Sequence, residues 1–279
     1  MVNSFATATN NLVQLKNLFI EMTAHNCNQK CKICYIDFPL KKNIQDFISI
    51  EKIEEALNDL KNEEVQVIYL TGAEPMMHPN FNAILRLCLK KASVCICTNA
   101  SLINEKKARF LKKVEQEGNN EIIFRLSLDH YEEIKNDSIR YRGAYRQTMS
   151  AIKSLSKYGF NPIINITNYY NETENNLKNE FKKIFDKIEF EISDINLQIN
   201  TYHDRYKESE EKLSESQNLD CNWGRVLTVK GVYTCPFLSN DHRGFSGCDF
   251  KNYSSKNTLE TEYCQTCAKN KNKMFGLNL

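Results

Sequence analysis

The sequence predicts an α/β protein built on a parallel sheet. Two patterns carry this reading, and a third marks where it stops. Six short β-prone segments alternate with amphipathic helical segments, and such alternation implies parallel strands joined by right-handed helical crossovers. Glycine and asparagine punctuate the ends of the helical stretches, as expected of helix caps. After about residue 200 the alternation ceases, and a charged stretch and a cysteine-rich segment follow. Strand counting alone leaves a doubly wound sheet and a partial barrel both open.

The elements follow in order. "LKNLFIEM" (15–22) is apolar and β-prone. "SIEKIEEALNDLKN" opens on Ser49 as a helix N-cap, and Ile50, Ile53, Leu57 and Leu60 recur at helical spacing. "VQVIYL" (65–70) is a buried-type strand, "NFNAILRLCLKKA" a helix capped by Asn80, and "SVCIC" (93–97) a strand. "NEKKARFLKKVEQEG" is a helix with Gly118 near its end. "EIIFRLSL" (121–128) is the fourth strand, "AYRQTMSAIKSLSKYG" a helix ended by Gly159, and "PIINIT" the fifth strand. "TENNLKNEFKKIFDKI" is a helix and "EFEISDINLQI" (189–199) the sixth strand. "RYKESEEKLSES" reads as a solvated helix or linker, and "VLTVKGVYTC" as a hairpin turning at Lys230-Gly231. These boundaries divide the chain into a core at 1–204, a linker or helix at 205–220 and a C-terminal module at 221–279.

At 279 residues the chain is long enough for a substantial core. A formal net charge of +2 gives no field directed at nucleic acid or a membrane surface. No run of apolar residues is long enough to span a bilayer, and the first residues lack the pattern of a signal peptide. A cytoplasmic location is therefore expected. Eleven cysteines are the anomaly, and in that compartment they point to metal or redox chemistry rather than disulfides. They cluster at 27–34, 88–97 and 221–267. Cys88 falls on an apolar helix face and reads as core. Cys95 and Cys97 share a strand face with Asn99.

"CNQKCKICY" sets Cys27, Cys31 and Cys34 directly after the first strand. They therefore sit on a loop at its C-terminal end, the edge where parallel α/β folds carry their ligand sites. Thiolates at this spacing would hold three irons of a 4Fe–4S cluster and leave the fourth open. On spacing alone, zinc or a chance match is also admissible.

Further stretches resemble the radical SAM family. "YLTGAEPMMHPNF" (69–81) resembles its Gly-Gly-Glu-Pro motif and "CTNA" (97–100) its Thr-Asn-Gly turn. "RLSLDHYEEIKNDSIRYRGAY" (125–145) resembles the segment running from Ser-Leu-Asp-Gly to Arg-Gly, and "IINITNYYN" (163–171) the fifth-strand Asn-x-Thr segment. The resemblance covers roughly 15–200 and implies a partial (β/α)6 barrel. It also implies a 4Fe–4S cluster on Cys27, Cys31 and Cys34 whose open iron binds S-adenosylmethionine (SAM). One-electron cleavage of SAM would then give a 5′-deoxyadenosyl radical that abstracts hydrogen from a substrate. On this reading Glu74, beside Gly72, binds the SAM amino group. Arg142 binds its carboxylate, with Arg140 as the competing choice, and Ser127 and Asn99 are further contacts. Ala73 and Ala100 stand where the family has glycine, which requires an ordinary φ at both.

The C-terminal cysteines resemble the auxiliary-cluster modules called SPASM and its one-cluster form, twitch. The resemblance implies a second 4Fe–4S cluster on Cys221, Cys235, Cys264 and Cys267. Structural zinc, or Cys248 in place of Cys221, are the alternatives. If four cysteines bind metal, Cys248 is left over as a candidate catalytic thiol that returns hydrogen to a substrate radical. The resulting expectation is an oxidoreductase acting on a peptide or small natural product by epimerisation, dehydrogenation or thioether formation. Its electron would come from a donor such as flavodoxin or ferredoxin. A non-catalytic iron–sulfur electron-transfer protein is the other class to weigh, and it would not need Glu74 and Arg142 at strand ends.

Overall fold

A computed structural model describes residues 9–34, 46–193, 195–202, 219–239, 241–258, 261, 263, 264 and 267. Residues 203–218, which hold the whole charged stretch "RYKESEEKLSES", lie outside the described residues. The expected parallel sheet is present. Its strands are β2 (Asn17–Glu21), β3 (Val67–Thr71), β4 (Ser93–Thr98), β5 (Ile122–Ser127), β6 (Ile163–Asn168) and β7 (Leu197–Thr201), paired in that order and all parallel. The helices are α1 (Ile50–Asp59), α2 (Phe81–Leu89), α3 (Glu105–Gln116), α4 (Glu133–Ile139), α5 (Ala144–Lys157) and α6 (Glu174–Asp186). The result is a barrel-like sheet with helical crossovers.

Side-chain alternation along each strand separates two faces. Leu18, Ile20, Ile68, Leu70, Val94, Ile96, Phe124, Leu126, Ile164 and Ile166 join the main core, which also takes the apolar faces of the helices. The other face is the interior. There Phe19, Val67, Tyr69, Cys95, Val226 and Tyr233 form a separate apolar cluster, with Phe19 stacked on Tyr69 at 4.4 Å. Cys88 is fully buried in the main core, as its helix face requires.

Helix termini follow local chemistry. Ser49 and Thr173 cap α1 and α6 by accepting from Lys52 N and Asn176 N. Asn80 occupies the cap position of α2 without a side-chain hydrogen bond. Gly159 takes φ +76 after α5. The sixth strand departs from expectation. "EFEIS" alternates like a strand, yet 189–193 is irregular and pairing begins only at Leu197. Glu189 at φ +54 turns the chain there. The helix α4 also escaped the sequence pattern.

The hairpin at Lys230-Gly231 forms as β8 (Gly224–Thr228) and β9 (Gly231–Tyr233), followed by β10 (Phe245–Gly247). It is built onto the core sheet, because β8 pairs in parallel with β2, Asn17 opposite Gly224. A second, two-stranded sheet joins β1 (Thr9–Asn11) to β11 (Lys256–Thr258). Among the described residues no helix is long and apolar enough to cross a membrane.

Candidate cofactor site at the strand ends

The loop after β2 carries Cys27, Cys31 and Cys34, all part-buried and none in a disulfide. Its entry is fixed by a polar knot. Asp46 Oδ1 accepts from Thr23 Oγ1 at 2.7 Å and from Asn26 Nδ2 at 2.5 Å, and Asp46 Oδ2 lies 2.7 Å from His25 Nδ1. The turn after β3 docks against the same loop. Ala73 N donates to Thr23 O and Glu74 N to Asn26 O. Gly72 makes this approach possible, with φ +107 and a backbone so near that a Cβ would stand 2.3 Å from Thr23 O.

Glu74 is fully buried. Its Oε1 accepts from Met76 N at 3.0 Å and Thr98 Oγ1 at 2.8 Å, and its Oε2 from Asn99 N at 2.9 Å. It thereby ties the end of β3 to the end of β4. Burial raises its pKa, opposed by those three donors and by Arg140. Asn99 in turn donates through Nδ2 to Cys27 Sγ at 3.7 Å and Asn28 Oδ1 at 2.8 Å. Ala100 follows in the left-handed region at φ +66. The ordinary φ expected there is not observed, because the turn that presents Asn99 keeps its glycine-like geometry. Ala73 has no positive φ.

On the opposite side, Arg140 Nη1 lies 3.9 Å from Cys31 Sγ, and Arg140 Nε pairs with Asp129 Oδ2 at 2.5 Å. Asp129 follows β5; its N–H donates to Asn136 Oδ1 at 3.0 Å, and its Oδ1 accepts from Thr167 N at 2.8 Å. Arg142, the residue favoured from sequence, is exposed on the turn before Gly143. Of the two arginines, the structure brings Arg140 to the cysteines. Ser127 is part-buried on the interior face, opposite Asn165.

Burial pushes the Cys27 thiol up to about 11, assisted by Glu74 and Cys31 and opposed by Gln29 N–H and Asn99. Burial also raises Cys31, opposed by the charge of Arg140. Three soft thiols on one loop beside a cation suit an iron–sulfur cluster. No three His, Cys, Asp or Glu side chains among the described residues stand close enough to ligate a single ion; a 4Fe–4S cluster does not need them to, since each thiolate binds a different iron. A family model described as the radical SAM superfamily matches residues 22–184.

The chain belongs to the radical SAM superfamily.

Relatives of this radical SAM chain extend the comparison. The subtilosin biosynthesis protein AlbA of Bacillus subtilis is 34% identical over 137 residues, covering 48% of this chain and 29% of that protein. An uncharacterised protein of Archaeoglobus fulgidus is 32% identical over 162 residues, 57% of this chain and 36% of that one. The chain thus spans about a third of the length of these curated relatives. Among solved structures, anSMEcpe with bound AdoMet shares the fold with a TM-score of 0.64 at 18% identity, covering 91% of this chain and 82% of that one. Streptococcus suis SuiB bound to the precursor peptide SuiA gives 0.61 at 15% identity, covering 93% and 66%.

The C-terminal cysteines form a second group. Cys221, Cys264 and Cys267 pack together with Leu219. Cys235 is pushed well up by burial and also feels Cys264 and Cys221. Arg225, fully buried, donates to the carbonyls of Cys221, Gly224, Ser254 and Ser255. Its charge faces the thiols of Cys221 and Cys235.

Cys248 does not join them. It is exposed after β10 and lines a cavity of about 360 Å³ with Glu51, Lys52, Glu55 and Leu227. Leu227 belongs to the outer core and Val226 to the interior, so this cavity lies outside the sheet. The hydrogen-donor role expected of Cys248 calls for a thiol facing the interior, whereas Cys248 is exposed beside this outer cavity. Asp129 and the Asp46 knot escaped sequence reasoning. Asp129 had a signal, since it stands in the quoted "SLD" stretch.

Proposed function

We propose that this chain is a radical SAM oxidoreductase acting on a peptide. The observation that carries the reading is the Asp129–Arg140 pair set against Cys31 on a three-cysteine loop. Cys27, Cys31 and Cys34 would hold the 4Fe–4S cluster, which with SAM supplies one-electron sulfonium cleavage and a 5′-deoxyadenosyl radical. Arg140 offers its charge to the SAM carboxylate, and Asp129 fixes the guanidinium in place. Glu74 acts chiefly by holding the strand ends that frame the SAM amino group. Asn99 orients the Cys27 side of the loop. Ser127 is a ribose or carboxylate contact.

Cys221, Cys235, Cys264 and Cys267 would hold a second 4Fe–4S cluster, with Arg225 as a buried counter-charge to the thiolates. The division into 1–204 and 221–279 is on this reading one of function, since the two share a sheet. With Cys248 outside the sheet, an oxidative outcome, dehydrogenation or thioether formation, is favoured over epimerisation. A peptide substrate is supported by the likeness to AlbA, a protein of bacteriocin biosynthesis, and to SuiB, solved with a precursor peptide. The electron would come from a flavodoxin- or ferredoxin-like donor.

Anaerobic reconstitution followed by measurement of 5′-deoxyadenosine tests the first site; no SAM cleavage under dithionite overturns it. Iron and sulfide analysis of the Cys27→Ala/Cys31→Ala/Cys34→Ala variant tests the second. Retained iron and sulfide support the auxiliary cluster, whereas zinc without iron replaces it with a structural zinc site.

A further inference from the structure

Above the apolar cluster, the interior faces of β5, β6 and β7 are polar. Arg125 lies there at 6% exposure. Asn165 Oδ1 accepts from Arg125 Nε at 3.1 Å, Arg125 Nη2 at 2.8 Å and Asn200 Nδ2 at 2.9 Å. Three donors converge on one amide oxygen, which locks the relative positions of the two side chains. Asn200 also donates to Ile166 O at 3.3 Å. Asn200 is 5% exposed, and its Oδ1 has no hydrogen-bond partner among the described residues. The strand register confirms its direction. Thr167 pairs with Asn200 and Asn165 with Gln198, while Ile166, Leu197 and Ile199 pack on the outer core. Cys97, Ser127, Asn165 and Thr167 on this face each keep partial exposure, so the interior retains space at this level.

Buried polar atoms in native proteins are satisfied by protein, water or ligand. The atom in question is an acceptor on an amide that shares Asn165 Oδ1 with a guanidinium. A carboxylate has no proton to give it, and an ammonium would be repelled by Arg125. A neutral amide supplies both an N–H for the acceptor and a carbonyl for the cation. We propose that Asn200 and Arg125 form a carboxamide subsite in the barrel interior, Asn200 Oδ1 accepting a substrate amide N–H whose carbonyl lies toward Arg125. This rests on the peptide-modifying reading and narrows it. The peptide would place a backbone amide, or an asparagine or glutamine side chain, against β5–β7.

The test uses the full chain, reconstituted anaerobically, with isobutyramide as the probe in ligand-observed saturation-transfer NMR. Isobutyrate and methyl isopropyl ketone are the controls. Saturable isobutyramide binding is expected, weakened about fivefold or more in Asn200→Ala, as for loss of one hydrogen bond. The ketone, which keeps the carbonyl and lacks the N–H, should bind about fivefold more weakly to the unaltered protein. If Asn200→Ala does not fold, the amide-to-ketone comparison on the unaltered protein decides the matter. Isobutyrate binding as tightly as the amide, equal binding of amide and ketone, or no saturable amide binding would each overturn the subsite; the last is the result expected if water alone fills the position. SAM cleavage measured on the same sample separates the two ideas. Intact cleavage without amide binding removes only this subsite, and amide binding without cleavage removes only the radical SAM activity.

Discussion

At the scale of single residues, the decisive question is which arginine serves the site. Arg140 and Arg142 are two positions apart, and the sequence reading favours Arg142. In the fold Asp129 holds Arg140 across from Cys31, at 10% side-chain exposure, which supports Arg140 under the proposed function. Arg140→Met should therefore lower SAM cleavage about tenfold or more, the loss of one charge-assisted contact. Arg142→Ala should stay within about twofold. Arg140→Met should also cost about 3–5 kcal/mol in urea unfolding, because Asp129 is left buried without its cation. Comparable effects of the two substitutions on 5′-deoxyadenosine yield would reverse the assignment. Glu21 gives a pH signature. It is buried at the end of β2, burial raises its pKa, and Ser239 Oγ donates to it at 2.6 Å. A carboxyl with a raised folded pKa favours folding most below its unfolded value, near 4.5, and that contribution is lost as pH rises through the folded value. Glu21→Gln should remove this component, so its stability relative to the unaltered protein should improve from pH 4.5 upward. A difference that does not change with pH would exclude it. The cysteine loop was legible because metal chemistry constrains spacing. The role of Asp129 was not, because its partner Arg140 is brought by the end of α4, and Asn200 was not, because its partner Asn165 is brought by another strand.

At the scale of elements, turns decide more than strands. The β3 turn needs Gly72, since any side chain there would meet Thr23 O while holding φ +107. Gly72→Ala should cost about 3 kcal/mol, measured as a shift in urea midpoint. It should also loosen the loop bearing Cys27, read as faster iron loss to a chelator. An unchanged midpoint would contradict the close approach. The strand core was readable because hydrophobic pattern and propensity agree there. At 189–193 they mislead, since a left-handed Glu189 ends the alternation before it can pair. The hairpin at Gly231 was readable from its turn, but its landing place was not. The place of Cys248 was unreadable for the same reason, because the direction in which β10 delivers its loop is a tertiary fact.

At the scale of the whole molecule, β8 is the piece that joins the two cysteine groups into one body. It covers the free side of β2, and Ser239 beyond β9 reaches Glu21. A chain ending at residue 204 would leave β2 with an unpaired edge, which invites association with other chains. We expect such a truncation to elute as aggregate in size-exclusion chromatography. A soluble monomer with intact iron binding would show that the core stands without β8. The conclusion that 1–204 and 221–279 share one sheet could not be drawn from composition, because contacts between distant strands leave no local pattern.

The same pairing sets a timetable for biosynthesis. A ribosome releases β2 and its cysteine loop early, yet Gly224–Leu227 emerge roughly 10–40 s later at ordinary elongation rates. Throughout that interval one flank of β2 is open, and the thiols that follow it hang on an unfinished wall. Iron delivered to the nascent chain would meet the donors before their framework exists. The finished wall behind the cysteine loop therefore exists only after β8 has emerged and paired with β2.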